Sequence, residues 1–182
     1  MLARDLMAVS CITVTFCVNL TMVQDKANGT RKDFNVSPVR KSLIHNDGTI
    51  QIPAQAIKEY CIVDEGKVYL FSGSRVTGGF CVTRKGLLYP SKLGHILEDI
   101  PQLLNYTTEP GEFIQYKGRK YCWTFISEKG EIVLSDDMMK ILNLKPEMKL
   151  LSIRSSNIAF TMGAKGPLLE KAENYNGEIP LF

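Results

Sequence analysis

Paired cysteines are the first thing this sequence lacks. Its five cysteines (Cys11, Cys17, Cys61, Cys81, Cys122) are odd in number and never stand at CxxC spacing. That argues against a disulfide framework or a thiolate zinc site and leaves reduced thiols of a cytoplasmic chain. Cys61 and Cys81 fall inside apolar periodic stretches and are expected to be buried. Histidine is nearly absent too: His45 and His95 lie far apart, without acidic or thiol neighbours at ligand spacing, so no metal is expected. Cys122 with His95 is the one Cys/His pairing to weigh, and no catalytic motif surrounds it. Gly78-Gly79 lacks the GxxxxGK setting of a phosphate loop and reads as a turn or bulge within a hairpin. These absences point away from an enzyme and from a bound cofactor.

Charge of one sign is also missing. Lys and Arg number 22 against 19 Asp and Glu, a net charge of +3. This permits an anionic partner without demanding one. No apolar run is long. The charge-free stretch Leu6–Gln24 holds LMAVSCITVTFCVNL, interrupted by serine and threonines. At about 14 residues it is too short to span a bilayer. Arg4 is cancelled by Asp5 and no A-x-A follows, so an extra strand or a leader is expected in place of an export signal. The polar, turn-rich stretch Asp25–Asn35 reads as a linker.

What is there is a repetition. In a chain of 182 residues, 45% apolar and 23% charged, Ser42–Ser74 aligns with Thr124–Ser156 without a gap. The interval is 82 positions, as between Gly48 and Gly130. Ile44/Ile126, Ile50/Ile132, Lys58/Lys140, Lys67/Lys149 and Ser74/Ser156 are identical pairs, and Ile52/Leu134, Tyr60/Leu142 and Val68/Leu150 keep their character. Register resumes at an interval of 80 with Phe80/Phe160, Lys85/Lys165 and Gly86/Gly166. A duplication is inferred.

Each copy reads as strand, turn, strand, short helix, turn, strand, turn, strand. In the first, Asn46-Asp47-Gly48 is a tight-turn signal between alternating strands. Pro53 suits the first helical position, and Ala56, Ile57 and Tyr60 form an apolar stripe. In the second, Ser135 is an N-cap, Asp136 and Asp137 suit the positive end of the helix dipole, and Met138, Met139, Ile141 and Leu142 supply the buried face. Such a unit is too small to bury its own apolar face. Two facing copies solve this by interleaving their hairpins into one closed barrel with fewer free edges. Trp123 is expected in the core or at its rim.

The fold class expected is mainly β (α+β), a pseudo-twofold barrel with short helices. Residues 1–36 form a leader and linker, 37–88 the first repeat, 89–120 a helical connector, 121–166 the second repeat and 167–182 a C-terminal helical tail. In the connector, Leu93, Ile96, Leu97, Ile100 and Leu104 recur at helical spacing, and Pro101 bends or restarts the helix.

The stretches GTIQIPAQAIKEYCIVDEGKVYL and GEIVLSDDMMKILNLKPEMKL resemble the AbrB/MazE/SpoVT swapped-hairpin family. The resemblance covers about 95 residues and implies a barrel of two intertwined hairpin units. It further implies a non-enzymatic DNA-binding transcription regulator, with double-stranded DNA as partner. Family arginines sit before the first strand, after the turn glycine and in the short helix. Here Thr49 and Glu131 follow the glycines, so the candidates carried over are Arg40, Lys41, Lys58, Lys120 and Lys140, with Arg31, Lys32, Lys117 and Arg119 nearby. Arg75 and Arg154 are expected to face solvent. The second reading is a protein–protein module, antitoxin-like or an assembly factor, that kept the barrel and lost DNA contacts. Glu131, Asp136 and Asp137 favour it, and a homodimer is compatible with either.

Overall fold

Each copy's turn glycine does a job that no other residue can. Gly48 has φ +80° and Gly130 +83°. A Cβ on Gly48 would lie 2.2 Å from the Leu134 carbonyl oxygen, and one on Gly130 would lie 2.0 Å from Ile57 Cδ1. The close approach lets the copies bond at this point: Gly48 O accepts from Leu134 N–H and Gly130 O from Ile52 N–H, both at 2.9 Å.

The structure is a computed structural model that describes residues 40–175 and 179–182. The expectations for residues 1–36, including the apolar stretch 6–24, the linker, Arg31, Lys32, Cys11 and Cys17, lie outside the described residues. From the first copy come β1 (Arg40–Leu43), β2 (Thr49–Gln51), α1 (Ala54–Tyr60), β3 (Lys67–Ser72) and β4 (Phe80–Thr83). The middle of the chain supplies α2 (Lys85–Leu88), α3 (His95–Asp99), α4 (Pro101–Leu104) and β5 (Ile114–Tyr116). The second copy supplies β6 (Arg119–Phe125), β7 (Glu131–Val133), α5 (Asp136–Leu142), β8 (Lys149–Arg154), β9 (Phe160–Gly163) and then α6 (Pro167–Glu173).

The fold is mainly β. An antiparallel sheet of seven strands runs β1-β8-β9-β4-β3-β6-β5, and β2 pairs with β7 in a separate two-stranded ribbon. The first strand of each copy pairs with the third strand of the other. Leu43 faces Lys149 and Ser42 faces Leu150; advanced by 82 positions these become Phe125 facing Lys67 and Thr124 facing Val68. The ribbon centres on Ile50 opposite Ile132, and the β4–β9 ladder on Cys81 opposite Thr161. Exchanging the two copies therefore maps the ladders between and within them onto one another, apart from β5, which pairs with β6 and has no counterpart strand beside β1.

The larger sheet stays open, unlike the closed barrel expected from the sequence. The turns after β1 and β6 carry one backbone bond each into the ribbon, His45 N–H to Thr49 O and Ser127 N–H to Glu131 O, both 2.9 Å. The rest of those strand edges is already occupied. Lys41 and Leu43 donate to Pro180 and Phe182 of the C-terminal segment, while β5 pairs along β6. With its donors and acceptors committed, neither edge extends the ladder.

Two apolar clusters form. One is enclosed by both copies and includes Ile44, Ile50, Leu70, Ile132, Leu150 and Phe160, with Met138, Met139 and Leu142 from α5. The other lies on the opposite face of the sheet, where Ile96, Leu97 and Leu103 cover Tyr69, Phe71 and Trp123. The connector stripe is thus packed inside the chain. Pro101 starts α4 immediately after Ile100 ends α3, and β5 adds a short strand to a segment read as helical. Pro53 sits one place earlier than expected, as the residue capping α1, where its carbonyl accepts from Ile57 N–H at 3.1 Å. Ser135 caps α5 by accepting from Met138 N–H at 3.3 Å. Cys81 and Cys122 are buried, but Cys61 is only half-buried, a correction to its expected burial. The reason is that α1 ends there: Cys61 takes the left-handed conformation (φ 49°) that closes the helix, as Asn143 does after α5 (φ 55°).

Two outcomes are expected. Cys61→Gly removes a Cβ from a left-handed position and should raise stability by about 0.5–1 kcal/mol in urea titration. Tyr60 donates to Ser156 O at 2.7 Å across the copies, and burial pushes its hydroxyl up to about 12. A raised pKa means that folding favours the neutral phenol. That stability is complete below about pH 10, the unfolded value, and is lost as pH rises through about 12. Tyr60→Phe should cost about 1 kcal/mol at neutral pH and make the alkaline decline measurably shallower.

Candidate nucleic-acid interface

Phosphate binding needs cations that are free and share a surface. β1 alternates its side chains, so Arg40 and Lys41 start on opposite faces of the sheet. Both are half-buried, and both are engaged by the end of the chain. The Arg40 guanidinium carbon lies 5.3 Å from the Phe182 ring centre. Lys41 Nζ donates to Ala172 O at 3.3 Å.

Lys58 and Lys140 occupy the last turns of α1 and α5, where a cation complements the negative end of a helix. Both are exposed. Lys140 Nζ meets Asp137 Oδ1 at 3.3 Å, whereas none of the three ion pairs among the described residues involves Lys58. Lys120 is exposed, and its backbone N–H donates to Ser72 Oγ at 3.2 Å. It lies inside β6, not ahead of the second copy's first strand. From β1 to β6 is five strand steps, about 24 Å along the sheet at the usual spacing. No hydrogen bond or ion pair joins any two of the five among the described residues.

The densest grouping of cations surrounds the turn between β5 and β6. Lys117 (φ 42°) and Gly118 (φ 82°) make the turn, with Arg119 and Lys120 directly after it. Lys117 Nζ is 4.8 Å from the Tyr116 ring centre and the Arg119 guanidinium carbon 5.6 Å from that of Phe71. Hydrogen bonding to Tyr116 raises the Lys117 pKa, which keeps that ammonium charged. Of this group the sequence singled out Lys120 alone. The run Tyr-Lys-Gly-Arg-Lys-Tyr over 116–121 is visible in the sequence, but the stacking of Arg119 on Phe71 is not, because it depends on Tyr121 pairing with Phe71 across strands.

Elsewhere, Arg75 and Arg154 are both exposed, and Arg154 also pairs with Glu59 at 2.9 Å. His95 Nδ1 shares a hydrogen bond with Lys92 O at 2.8 Å, and the Trp123 indole N–H donates to Thr108 Oγ1 at 2.9 Å. Among the described residues no three His, Cys, Asp or Glu side chains group as metal ligands, and no helix is long and apolar enough to cross a membrane.

No family model matches this chain, and no curated protein matches it.

Asp137 is the partner that holds Lys140. Both are exposed, so Asp137→Asn should lower stability by less than about 1 kcal/mol in urea titration, through the lost ion pair and the helix N-terminus.

Proposed function

We propose that the chain is a non-enzymatic, cytoplasmic DNA-binding transcription regulator of AbrB/MazE/SpoVT type. In this reading the two copies form one pseudo-twofold swapped-hairpin barrel that is left open, the β2–β7 ribbon and the seven-stranded sheet lying around one shared interior without a continuous ladder. The observation that carries it is the exchange of strands: β1 with β8 and β6 with β3 in the same register at an interval of 82. Such an arrangement places Lys58 and Lys140 at equivalent positions on two helices. A body with two like surfaces matches duplex DNA, whose half-sites recur at a regular spacing. Lys58, Lys140 and Lys120 meet phosphates first, and Arg40 and Lys41 follow where the C-terminal segment yields. The contacts position the protein on the backbone; no side-chain pair suited to reading base edges stands out.

A second reading, a protein–protein module with the same barrel, draws on a different observation. Val133 on the β2–β7 ribbon is 58% exposed, and Glu131, Asp136 and Asp137 stand beside it in sequence. An exposed apolar residue with three carboxylates close to it in sequence suits a basic protein partner better than DNA.

A salt series separates the two. With about four phosphates neutralised, affinity for a mixed-sequence duplex should fall about 100-fold between about 50 and 200 mM salt. Lys58→Glu with Lys140→Glu should lower the log–log slope by about 2, and the melting temperature by only a few degrees through the lost helix-end cations and the Asp137 pair. Fluorescence anisotropy showing no salt-sensitive binding at about 50 mM salt removes the DNA reading and leaves the second.

A further inference from the structure

Between the tips of the two long hairpins lies a cavity of about 290 Å³ that the DNA reading does not use. Its rim carries hydroxyls from both copies: Ser74 and Thr77 in the β3–β4 turn, Ser155 and Ser156 in the β8–β9 turn. Ser74 and Ser156 are the same position of the repeat. At its base lie Cys81 and Thr161, the central pair of the β4–β9 ladder, joined through Sγ and Oγ1 at 3.2 Å. The cavity thus sits where the copies meet.

Its walls are apolar, formed by Phe71, Leu93 and Ile158, and a single charged side chain enters it, that of Arg119. No carboxylate lines it, and none of the ion pairs among the described residues engages Arg119. The guanidinium is held over the Phe71 ring at 5.6 Å. It is also close enough to favour the charged form of the buried Cys81 thiol, although burial still raises that thiol's pKa overall. Ser155 and Ser156 donate to Ala159 O, and Ser74 and Thr77 share one hydrogen bond, so one O–H of that last pair is left to donate. Together with the Arg119 fork above an apolar floor, it makes the donor set of a site for a small anion with an apolar body.

We infer that this cavity binds a small organic anion, a carboxylate or phosphate monoester on a body of about one ring. The head pairs with Arg119 and accepts the spare O–H of the Ser74–Thr77 pair, and the ring lies against Phe71, Leu93 and Ile158. Cys81 serves as floor and takes no part in chemistry. A ligand so placed touches both hairpins at once and ties the two copies together. The proposal does not depend on DNA binding, because none of the five cations assigned to DNA lines the cavity.

The test uses the full chain with benzoate and phenyl phosphate as probes, and benzyl alcohol as the neutral comparison. Backbone amide spectra should show saturable shifts over Ser74–Gly79 and Ser155–Ala159 with at least one anion. Benzyl alcohol should bind at least about tenfold more weakly. Arg119→Gln should weaken the anion at least about tenfold without moving the melting temperature. Ser155→Phe, at an exposed turn position, fills the mouth and should abolish binding if the arginine variant fails to fold. The proposal is overturned by no saturable shift with either anion up to about 20 mM, by equal binding of benzyl alcohol, or by affinity that survives both substitutions.

Discussion

Backbone hydrogen bonding between the copies is the constraint on which the rest of this molecule depends. Directly after β1, Ile44 makes one bridge to Ile50 of its own copy, whereas the full ladder of β1 is with β8. β6 stands in the same relation to β3. A buried strand without a ladder leaves unpaired N–H and C=O groups, each a substantial loss in an apolar setting. The interior cluster of Ile50, Ile132, Leu70 and Leu150 therefore cannot assemble from one copy alone. Each copy's apolar side chains reach the core only because the other copy supplies the pairing. The turn glycines belong to the same constraint, since their lack of a Cβ lets the copies approach where Ile52 and Leu134 bond.

Outside that interior the symmetry is broken. The middle of the chain covers one face of the sheet with α3 and α4, building an aromatic layer of Tyr69, Phe71, Tyr121 and Trp123. It also brings the cationic turn at 117–120 beside the hairpin tips. On the opposite edge the C-terminal segment lies along β1 and holds Arg40 and Lys41. The cations are thus unequal: Arg40 and Lys41 are committed to the fold, Lys140 is held by Asp137, Lys58 makes none of the ion pairs among the described residues, and Arg119 lies over an apolar cavity. The two proposed sites, one for phosphates and one for a small anion, make different demands on charge and burial and draw on different side chains.

How much of this was legible in the sequence varied with the range of the cause. Ser135 as a cap, Gly48 as a turn and Pro101 as a restart are local effects, and all three stand as read. Pro53 was displaced by one residue, because a proline is as compatible with the capping position as with the first helical one. β5 went unread: three residues with a weakly alternating pattern become a strand only when β6 lies alongside. Cys61 was read as buried from its apolar neighbours, yet the left-handed end of α1 turns it toward the surface. Among the site residues, Lys58 and Lys140 were placed correctly on helix ends, but the restraint of Lys41 by Ala172 and of Arg40 by Phe182 arises from contacts over more than a hundred residues.

The sequence by itself determined the unit, its repetition and the interval between copies, because turns, caps and apolar periodicity act within a few residues. Only the tertiary structure decided which strand each strand would pair with, that the larger sheet would stay open, and which cations would be free. Those outcomes turn on competition among distant segments for the same backbone groups. A segment such as Leu181–Phe182 wins the outer edge of β1 by lying beside it in space, and no local pattern in either stretch announces that.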